Sequence, residues 1–335
     1  MKIGIFVPNW IGDAVMALPF LAMCRQMHKK DKVIIIGREW VCPIFEASPL
    51  IDQLIPIQND EDNGFSGATK VGKRLKELEL DKVYILPNSF RSAYIAWLSK
   101  GKERIGYSGE LRSFFLTNSH SLPSLKTHRS NYYLSLIDKE LFDIYPRAIY
   151  LKENEVNKAK EYLDLLGIKS PLAIFPGSVA ASRQLPKSIL SRILELALND
   201  KDDIILIGGK EDVVVANELV RETDSKRVKS VCGKTTLRES IALIYLCSGA
   251  IGADSGLGHI AANLGLPILS LFGAGDPRKT APIGDRADFF YQNVHCSPCN
   301  KNLCYNEQDP LLCLNSMSPE KIWIRYLQLL KRVNT

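Results

Sequence analysis

The chain carries the run Ile251-Gly252-Ala253-Asp254-Ser255-Gly256-Leu257-Gly258-His259-Ile260. An apolar strand stops at Asp254, a small Ser-Gly turn follows, and an Ala/Leu-rich helix begins. That layout aims bare backbone N–H groups and a helix N-terminus past the strand end, where the preferred guest is an anion such as a diphosphate. An ordinary βα turn, with glycines for close packing, has the same sequence pattern. Three further segments read the same way, each directly after a strand-like run: Asn9-Trp10-Ile11-Gly12-Asp13, Pro176-Gly177-Ser178 with Arg183-Gln184-Leu185-Pro186-Lys187 downstream, and Gly208-Gly209-Lys210-Glu211-Asp212. Ligands of open parallel sheets bind at the carboxyl ends of strands. Three glycine turns in the second half therefore place a nucleotide-like ligand there.

The elements that must position these residues alternate. In the first half, strands are predicted at Lys2–Pro8, Lys32–Gly37, Leu54–Ile57 and Lys82–Leu86, with helices at Ala14–Met27, Ala68–Leu78 and Ser92–Leu98. A charged helix, Glu155–Leu166, opens a second series. Its strands are Leu172–Phe175, Asp203–Ile207, Ala250–Ala253 and Pro267–Phe272; its helices are Lys187–Leu198, Asp212–Glu222, Leu237–Cys247 and His259–Leu264. Such βα alternation implies parallel sheets with right-handed crossovers. We expect an α/β protein of two Rossmann-like domains, 1–152 and 153–318, without a close internal sequence repeat. The last helix, Pro319–Val333, is basic and amphipathic, with Ile322, Trp323, Tyr326, Leu327 and Leu330 on one face. It is expected, as part of 319–335, to pack back on the first domain, with attachment to a membrane surface as the second choice.

At 335 residues the chain is long for one core. Apolar content of 46% beside 24% charged residues describes a globular protein. The net charge of +6 is partly local: Arg91, Lys100, Lys102, Arg104, Arg112, Lys126 and Arg129 face only Glu103 and Glu110 between positions 91 and 129. This run is either a solvated face or a surface for an acidic partner such as a phosphorylated lipid headgroup. No nucleic-acid motif is present. No segment is apolar enough to span a bilayer, and the first residues, broken by Pro8 and Asn9, read as a strand and not a signal peptide. A cytoplasmic protein with at most peripheral membrane contact follows. Cys24, Cys42, Cys232 and Cys247 lie in apolar surroundings, as core cysteines do. Cys296, Cys299, Cys304 and Cys313 form C-x2-C-x4-C-x8-C, which reads as a compact packed loop, a metal site or redox pairs.

Gly12-Asp13 after the first strand, Pro176-Gly177-Ser178 with its downstream Arg-x-x-Pro, and Ala253-Asp254-Ser255-Gly256-x-Gly258-His259 resemble the bacterial lipopolysaccharide heptosyltransferases of glycosyltransferase family nine. The C-S-P-C…C…C segment ahead of Met317-Ser318-Pro319 is similar to the heptosyltransferase II branch. The resemblance covers nearly the whole chain. It implies a GT-B glycosyltransferase whose two Rossmann-like domains face a central cleft. It also implies ADP-L-glycero-D-manno-heptose as donor, and the inner core of lipopolysaccharide (Kdo-lipid A or its heptosylated form) as an anionic, lipid-linked acceptor at the inner-membrane surface. The sugar is transferred with inversion. One departure stands out: family members commonly carry Lys-x-Trp-Pro or Lys-Arg-Trp-Pro where this chain has Arg183-Gln184-Leu185-Pro186, so the cation is kept and the aromatic lost.

An inverting transfer needs a base for the acceptor hydroxyl, and Asp13 is the candidate. Its competing role is N-cap of the following helix. Gly177, Ser178, Arg183, Lys187, Glu211, Asp254, Ser255, Gly256, Gly258 and His259 are assigned to the nucleotide-sugar. Arg183 supplies a planar fork for phosphate oxygens and Ser255–Gly256 the backbone amides. Asp254 orients donor hydroxyls or fixes its own turn, His259 touches the donor or braces the core, and Glu211 or Asp212 reaches ribose hydroxyls or simply forms a solvent-facing helix start. Asn9, Trp10, Arg91, Arg104 and Arg112 are assigned to the acceptor. No metal is expected to be required, with Mg²⁺ at most stimulatory. The rival readings are a nucleotide-sugar epimerase of the same fold, for which no set of ring-proton acids is found, and a non-catalytic nucleotide-binding module. A nicotinamide dehydrogenase fails at the first turn, which lacks G-x-G-x-x-G.

Overall fold

The computed structural model describes all residues except 59–60, 62–63, 110, 125, 138–145 and 333–335. Glu110 of the basic run and Val333 of the last helix are therefore outside the described residues. The chain divides into two units, Met1–Tyr150 and Leu151–Thr335.

In the first unit β1 (Lys2–Phe6), β2 (Lys32–Arg38), β3 (Gln53–Ile57), β4 (Lys82–Ile85), β5 (Glu103–Tyr107) and β6 (Asn118–His120) form one parallel sheet in the order β3-β2-β1-β4-β5-β6. Its helices are α1 (Ile11–Met16), α2 (Leu18–Met27), α3 (Gly64–Lys76), α4 (Phe90–Leu98) and α5 (Arg129–Leu134). β1 and β2 are buried almost throughout, as a strand covered on both faces requires.

The second unit opens with α6 (Glu153–Leu166). Its strands are β7 (Leu172–Phe175), β8 (Ile204–Leu206), β9 (Val228–Ser230), β10 (Gly249–Ala253), β11 (Ile268–Phe272) and β12 (Ala287–Tyr291), in the order β12-β11-β10-β7-β8-β9 and again all parallel. Between and after them run α7 (Lys187–Asn199), α8 (Val213–Thr223), α9 (Leu237–Tyr245), α10 (Gly256–Asn263), α11 (Pro277–Thr280), α12 (Leu312–Asn315) and α13 (Pro319–Leu330). Numbered within its own unit, each sheet has the order 3-2-1-4-5-6. The topology repeats where the sequence does not. Each sheet reverses direction once, between β1 and β4 in the first unit and between β7 and β10 in the second; such a switch point is where doubly wound sheets open a crevice for ligands.

Two sequence expectations need correction. The helix predicted over Ala14–Met27 is two helices. Trp10, not Asp13, occupies the N-cap position of α1, and Asp13 lies inside the first turn. Pro19 lacks the N–H a continuous helix would need, so it falls in the first turn of a new one after Ala17. The second correction concerns α13, which packs on the second unit. Its Ile322, Trp323, Tyr326 and Leu329 are buried in one core with Leu172, Ile193 and Leu269. Trp323 Nε1 donates to Asp200 Oδ2 at 2.9 Å, and Arg325 and Arg332 both pair with Asp288. The amphipathic face was read correctly from the sequence; its partner was not.

Candidate active site

At the end of β1 the chain turns through Asn9 and Trp10 into α1, and Asp13 is partly exposed on that helix. Its Oδ1 accepts a hydrogen bond from the Tyr133 hydroxyl at 3.2 Å and sits 3.6 Å from Arg129 Nε. Both partners are on α5, whose first turn is capped by His128. Burial, and then the charge of Asp13, hold the Tyr133 hydroxyl well above the ordinary tyrosine range, so it remains a donor. The Arg129 guanidinium also lies over the Tyr132 ring, 5.2 Å from its centroid. Asp13 thus sits beside a cation and a hydroxyl donor that hold its carboxylate in place. Neither Arg129 nor Tyr133 was assigned to the site from the sequence. Arg129 was visible only as a member of the basic run, and nothing in spacing links Tyr133 to a residue 120 positions away.

The second cluster is on the β7–β10 switch point of the second unit. After β7 the chain passes through Pro176, Gly177 and Ser178 to a short 3-10 turn, Ala181–Arg183. Arg183 Nη1 lies 3.2 Å from Oδ2 of Asp254, which is 4% exposed at the end of β10. Gly275 admits this carboxylate, since a Cβ there would stand 2.3 Å from Asp254 Oδ2. Ser255 holds the N-cap position of α10 with extended backbone, yet its side chain caps nothing. Ser255 Oγ and Arg183 Nε are both buried without a hydrogen-bond partner. An orphaned hydroxyl, an orphaned guanidinium N–H and a helix start without a side-chain cap are what an anion between them would satisfy. Gly256 and Gly258 lie in the first turn of α10, and His259 is buried on it.

The turn carrying Arg183 is fastened from far along the chain. Ser182 Oγ donates to Lys301 O at 2.5 Å, and the Ser182 N–H to Asn302 O at 3.0 Å. The same segment brings Cys296, Cys299, Cys304 and Cys313 around one small cavity that Ser182 also lines. The Leu311 N–H donates to Cys304 Sγ at 3.3 Å. All eight cysteines are free thiols, and among the described residues no group of three or more His, Cys, Asp and Glu is arranged to hold a metal ion.

Several side chains assigned from sequence are engaged by other partners in the structure. Lys187, in the first turn of α7, gives its ammonium to Glu218 at 2.8 Å and Glu222 at 2.5 Å on α8. Arg104 spends its guanidinium on two carbonyls, Phe115 O and Gly101 O, both at 2.6 Å. Arg112 is completely buried and donates to Pro87 O and Asn88 Oδ1, out of reach of any acceptor. These two arginines brace loops. Asp212 is sealed against Gly177 and Gly208 and accepts the Gly209 N–H; a Cβ at Gly177 would lie 1.9 Å from its Oδ1. Gly177 therefore serves close packing, while Glu211 next to Asp212 is exposed and open to a ligand. Ser178 stays half-buried after β7. On the acceptor side Asn9 is exposed, its carbonyl taking the Trp40 indole N–H at 2.7 Å, and Trp10 is 63% exposed. Arg91, at the start of α4, donates to Gly64 O at 2.7 Å.

Two doubly wound parallel sheets, a flanked carboxylate on one and an anion-ready helix start on the other, are the parts of a GT-B glycosyltransferase. Comparison with known proteins agrees. Residues 68–309 match the model of glycosyltransferase family 9 (heptosyltransferase), and the chain belongs to that family. It is 25% identical over 309 residues to lipopolysaccharide heptosyltransferase 2 of Salmonella typhimurium, covering 86% of this chain and 87% of that one. It is 28% identical over 306 residues to lipooligosaccharide heptosyltransferase 2 of Haemophilus ducreyi, with the same coverage. The E. coli ADP-heptose lps heptosyltransferase II has the same fold, with a TM-score of 0.82 at 22% identity over 98% of both chains.

Proposed function

We propose that this glycosyltransferase moves a heptose, with inversion, from ADP-L-glycero-D-manno-heptose to the inner core of lipopolysaccharide, either Kdo-lipid A or heptosyl-Kdo-lipid A. The names of its relatives supply the sugar and acceptor; the residues supply a mechanism. Asp13 takes the proton of the acceptor hydroxyl as that oxygen attacks the anomeric carbon. Tyr133 and Arg129 hold the carboxylate in place. The bond from the anomeric carbon to the diphosphate breaks, and the departing ADP is stabilised by Arg183, the Ser255 hydroxyl and the first amides of α10. Asp254 orients Arg183. With a guanidinium and a helix start already there, the reading requires no metal, and Mg²⁺ stimulates at most. The acceptor is lipid-linked, so the enzyme works in the cytoplasm at the inner face of the membrane; among the described residues no helix is long and apolar enough to cross one.

The observation that carries the proposal is the Asp13 carboxylate, partly exposed at the sheet's switch point and flanked by Tyr133 and Arg129. The test is Asp13→Asn assayed with ADP-heptose. Turnover should fall about 10²–10⁴-fold with donor affinity unchanged. A variant that keeps its turnover removes Asp13 as the base.

A further inference from the structure

Arg112 has a consequence beyond bracing a loop. It sits in a short 3-10 turn, Arg112–Phe115, entered through Leu111 in the left-handed region at φ 58°. A bulky residue adopts that conformation at a cost, and only when its surroundings fix it. Here the fixing group is the buried guanidinium, which holds Pro87 and Asn88. With Arg112 turned inward, its neighbours are turned outward: Leu111 is 77% exposed and Phe114 is 86% exposed. Single exposed apolar residues are ordinary. These two border a continuous run of rings. Phe115 meets Tyr94 at 5.5 Å and Trp97 at 5.6 Å, and Tyr94 meets the exposed Phe65 at 5.8 Å.

The two helices that carry this apolar ridge supply only cations. α3 and α4, from which Phe65, Tyr94 and Trp97 come, contain Lys70, Lys73, Arg74, Lys76 and Arg91 and no acidic residue. Arg74 pairs with Glu61 at 3.0 Å, and Lys70, Lys73 and Lys76 are exposed along α3. Lys100 lies over the Trp97 ring at 5.0 Å, and Lys126 is exposed nearby in sequence. Apolar side chains that dip below a headgroup layer, ringed by cations that meet its phosphates, are the signature of a peripheral membrane surface. A second copy of this chain fits less well, because a self-complementary contact here would bring like charges together.

We propose that Leu111 and Phe114, with Phe65 and the lysines of α3, dock the first unit on an anionic phospholipid surface. Arg112, which opens the turn, reaches Pro87 O and Asn88 Oδ1 just past the carboxyl end of β4, the edge of the sheet from which α1 carries Asp13. In that placement the enzyme rests on the bilayer that holds its acceptor. The purpose of the docking rests on the lipid-linked acceptor proposed above; the docking itself does not.

The test is co-sedimentation of the full chain with large vesicles, without nucleotide or sugar. One set is pure phosphatidylcholine and the other an equimolar mixture of phosphatidylcholine and phosphatidylglycerol. The wild type should pellet with the mixed vesicles, less so as salt is raised, and not with the pure set. The double variant L111S/F114S should bind the mixed vesicles at least about tenfold more weakly. Its transfer to a deacylated, water-soluble acceptor should equal that of the wild type. Wild type that stays in the supernatant, or a double variant that pellets equally well, overturns the proposal. So does a wild-type dimer that the double variant dissociates while vesicle binding is unchanged. If vesicle binding follows the two residues but no heptose is transferred, the docking surface stands and the functional reading falls.

Discussion

The Tyr133 hydroxyl donates to Asp13 Oδ1 at 3.2 Å, joining α5 to α1 across the first unit. This bond positions a carboxylate that must later move a proton. Tyr133→Phe leaves the ring in its buried place and removes only the donor. Its kcat should drop by about tenfold, far less than the loss expected for Asp13→Asn, because the base survives but is less well aimed. The KM for the nucleotide-sugar should not change. Steady-state kinetics of the two variants decides the matter, and equal losses for both would mean that Tyr133 is more than a positioning residue.

Arg183 and Asp254 form an ion pair in which the carboxylate is buried and the guanidinium is partly exposed. Arg183→Lys keeps the charge but not the planar fork, so kcat/KM for the donor should fall by roughly 10–100-fold with the fold intact. Arg183→Ala removes the guanidinium from beside the buried Asp254 carboxylate and should also cost about 1–3 kcal/mol of stability. Kinetics together with urea unfolding distinguishes the two. A stable, active Arg183→Ala would remove this residue from the diphosphate site.

Arg91 and Arg112 were placed in one functional class by sequence, and the structure separates them. Replacing the buried Arg112 by Met leaves Pro87 O and Asn88 Oδ1 without their donor, and destabilises the protein by about 1–3 kcal/mol. Arg91→Ala should lower the melting temperature less and raise the KM for acceptor. Thermal unfolding and acceptor titrations on both variants provide the comparison.

Glu155 receives Nε and Nη2 of Arg238 at 2.6 and 2.7 Å and also accepts the Lys152 N–H at the start of α6. The Arg238 hydrogen bonds, against the opposing effect of burial, draw its carboxyl below the ordinary value of 4.5. A depressed folded-state pKa contributes stability that is fully present above that ordinary value and lost as pH falls through the folded one. Stability of the second unit should therefore hold from neutrality to about pH 5 and decline below it. In Glu155→Gln that part of the decline should vanish, along with about 1–3 kcal/mol at neutral pH. Urea titrations at stepped pH test this, and an unchanged acid limb in the variant contradicts it.

The thiols divide by environment. Burial pushes Cys24, Cys42, Cys232 and Cys247 up to about 12, so at pH 8 they carry almost no thiolate. Native-state alkylation followed by peptide mapping should label Cys304 first, since it is the exposed member of the downstream cluster. The four core cysteines should react only after unfolding. Labelling of Cys24 or Cys247 in the native protein would show that the burial is wrong.

Much of this was legible in the residues. The strand-then-glycine pattern placed Asp13, Arg183, Asp254 and Ser255 at carboxyl ends of strands, because a buried parallel strand is an apolar run and its end is marked by small or polar residues. Short or polar strands toward the edge of a sheet carry no such mark. β5 (Glu-Arg-Ile-Gly-Tyr) and β6 (Asn-Ser-His) become strands through pairing with β4 and with each other, not through their own pattern. The three-residue β9 escaped for the same reason. Long-range side-chain commitments were equally invisible. Lys187 looks like any helix-start lysine until Glu218 and Glu222 are seen one helix away, and Arg112 looks surface-bound until its turn is seen folded inward.

The hold that Lys301 and Asn302 keep on Ser182 has a consequence for how this enzyme fails. A protease nick or a bulky thiol adduct in the stretch from Cys296 to Cys313 would leave both sheets intact and still let go of the arginine next to Ser182. Damage there would read in an assay as weakened grip on the nucleotide, in a protein that melts almost normally. Batches inactivated during storage are therefore worth checking for modification at these cysteines before unfolding is blamed.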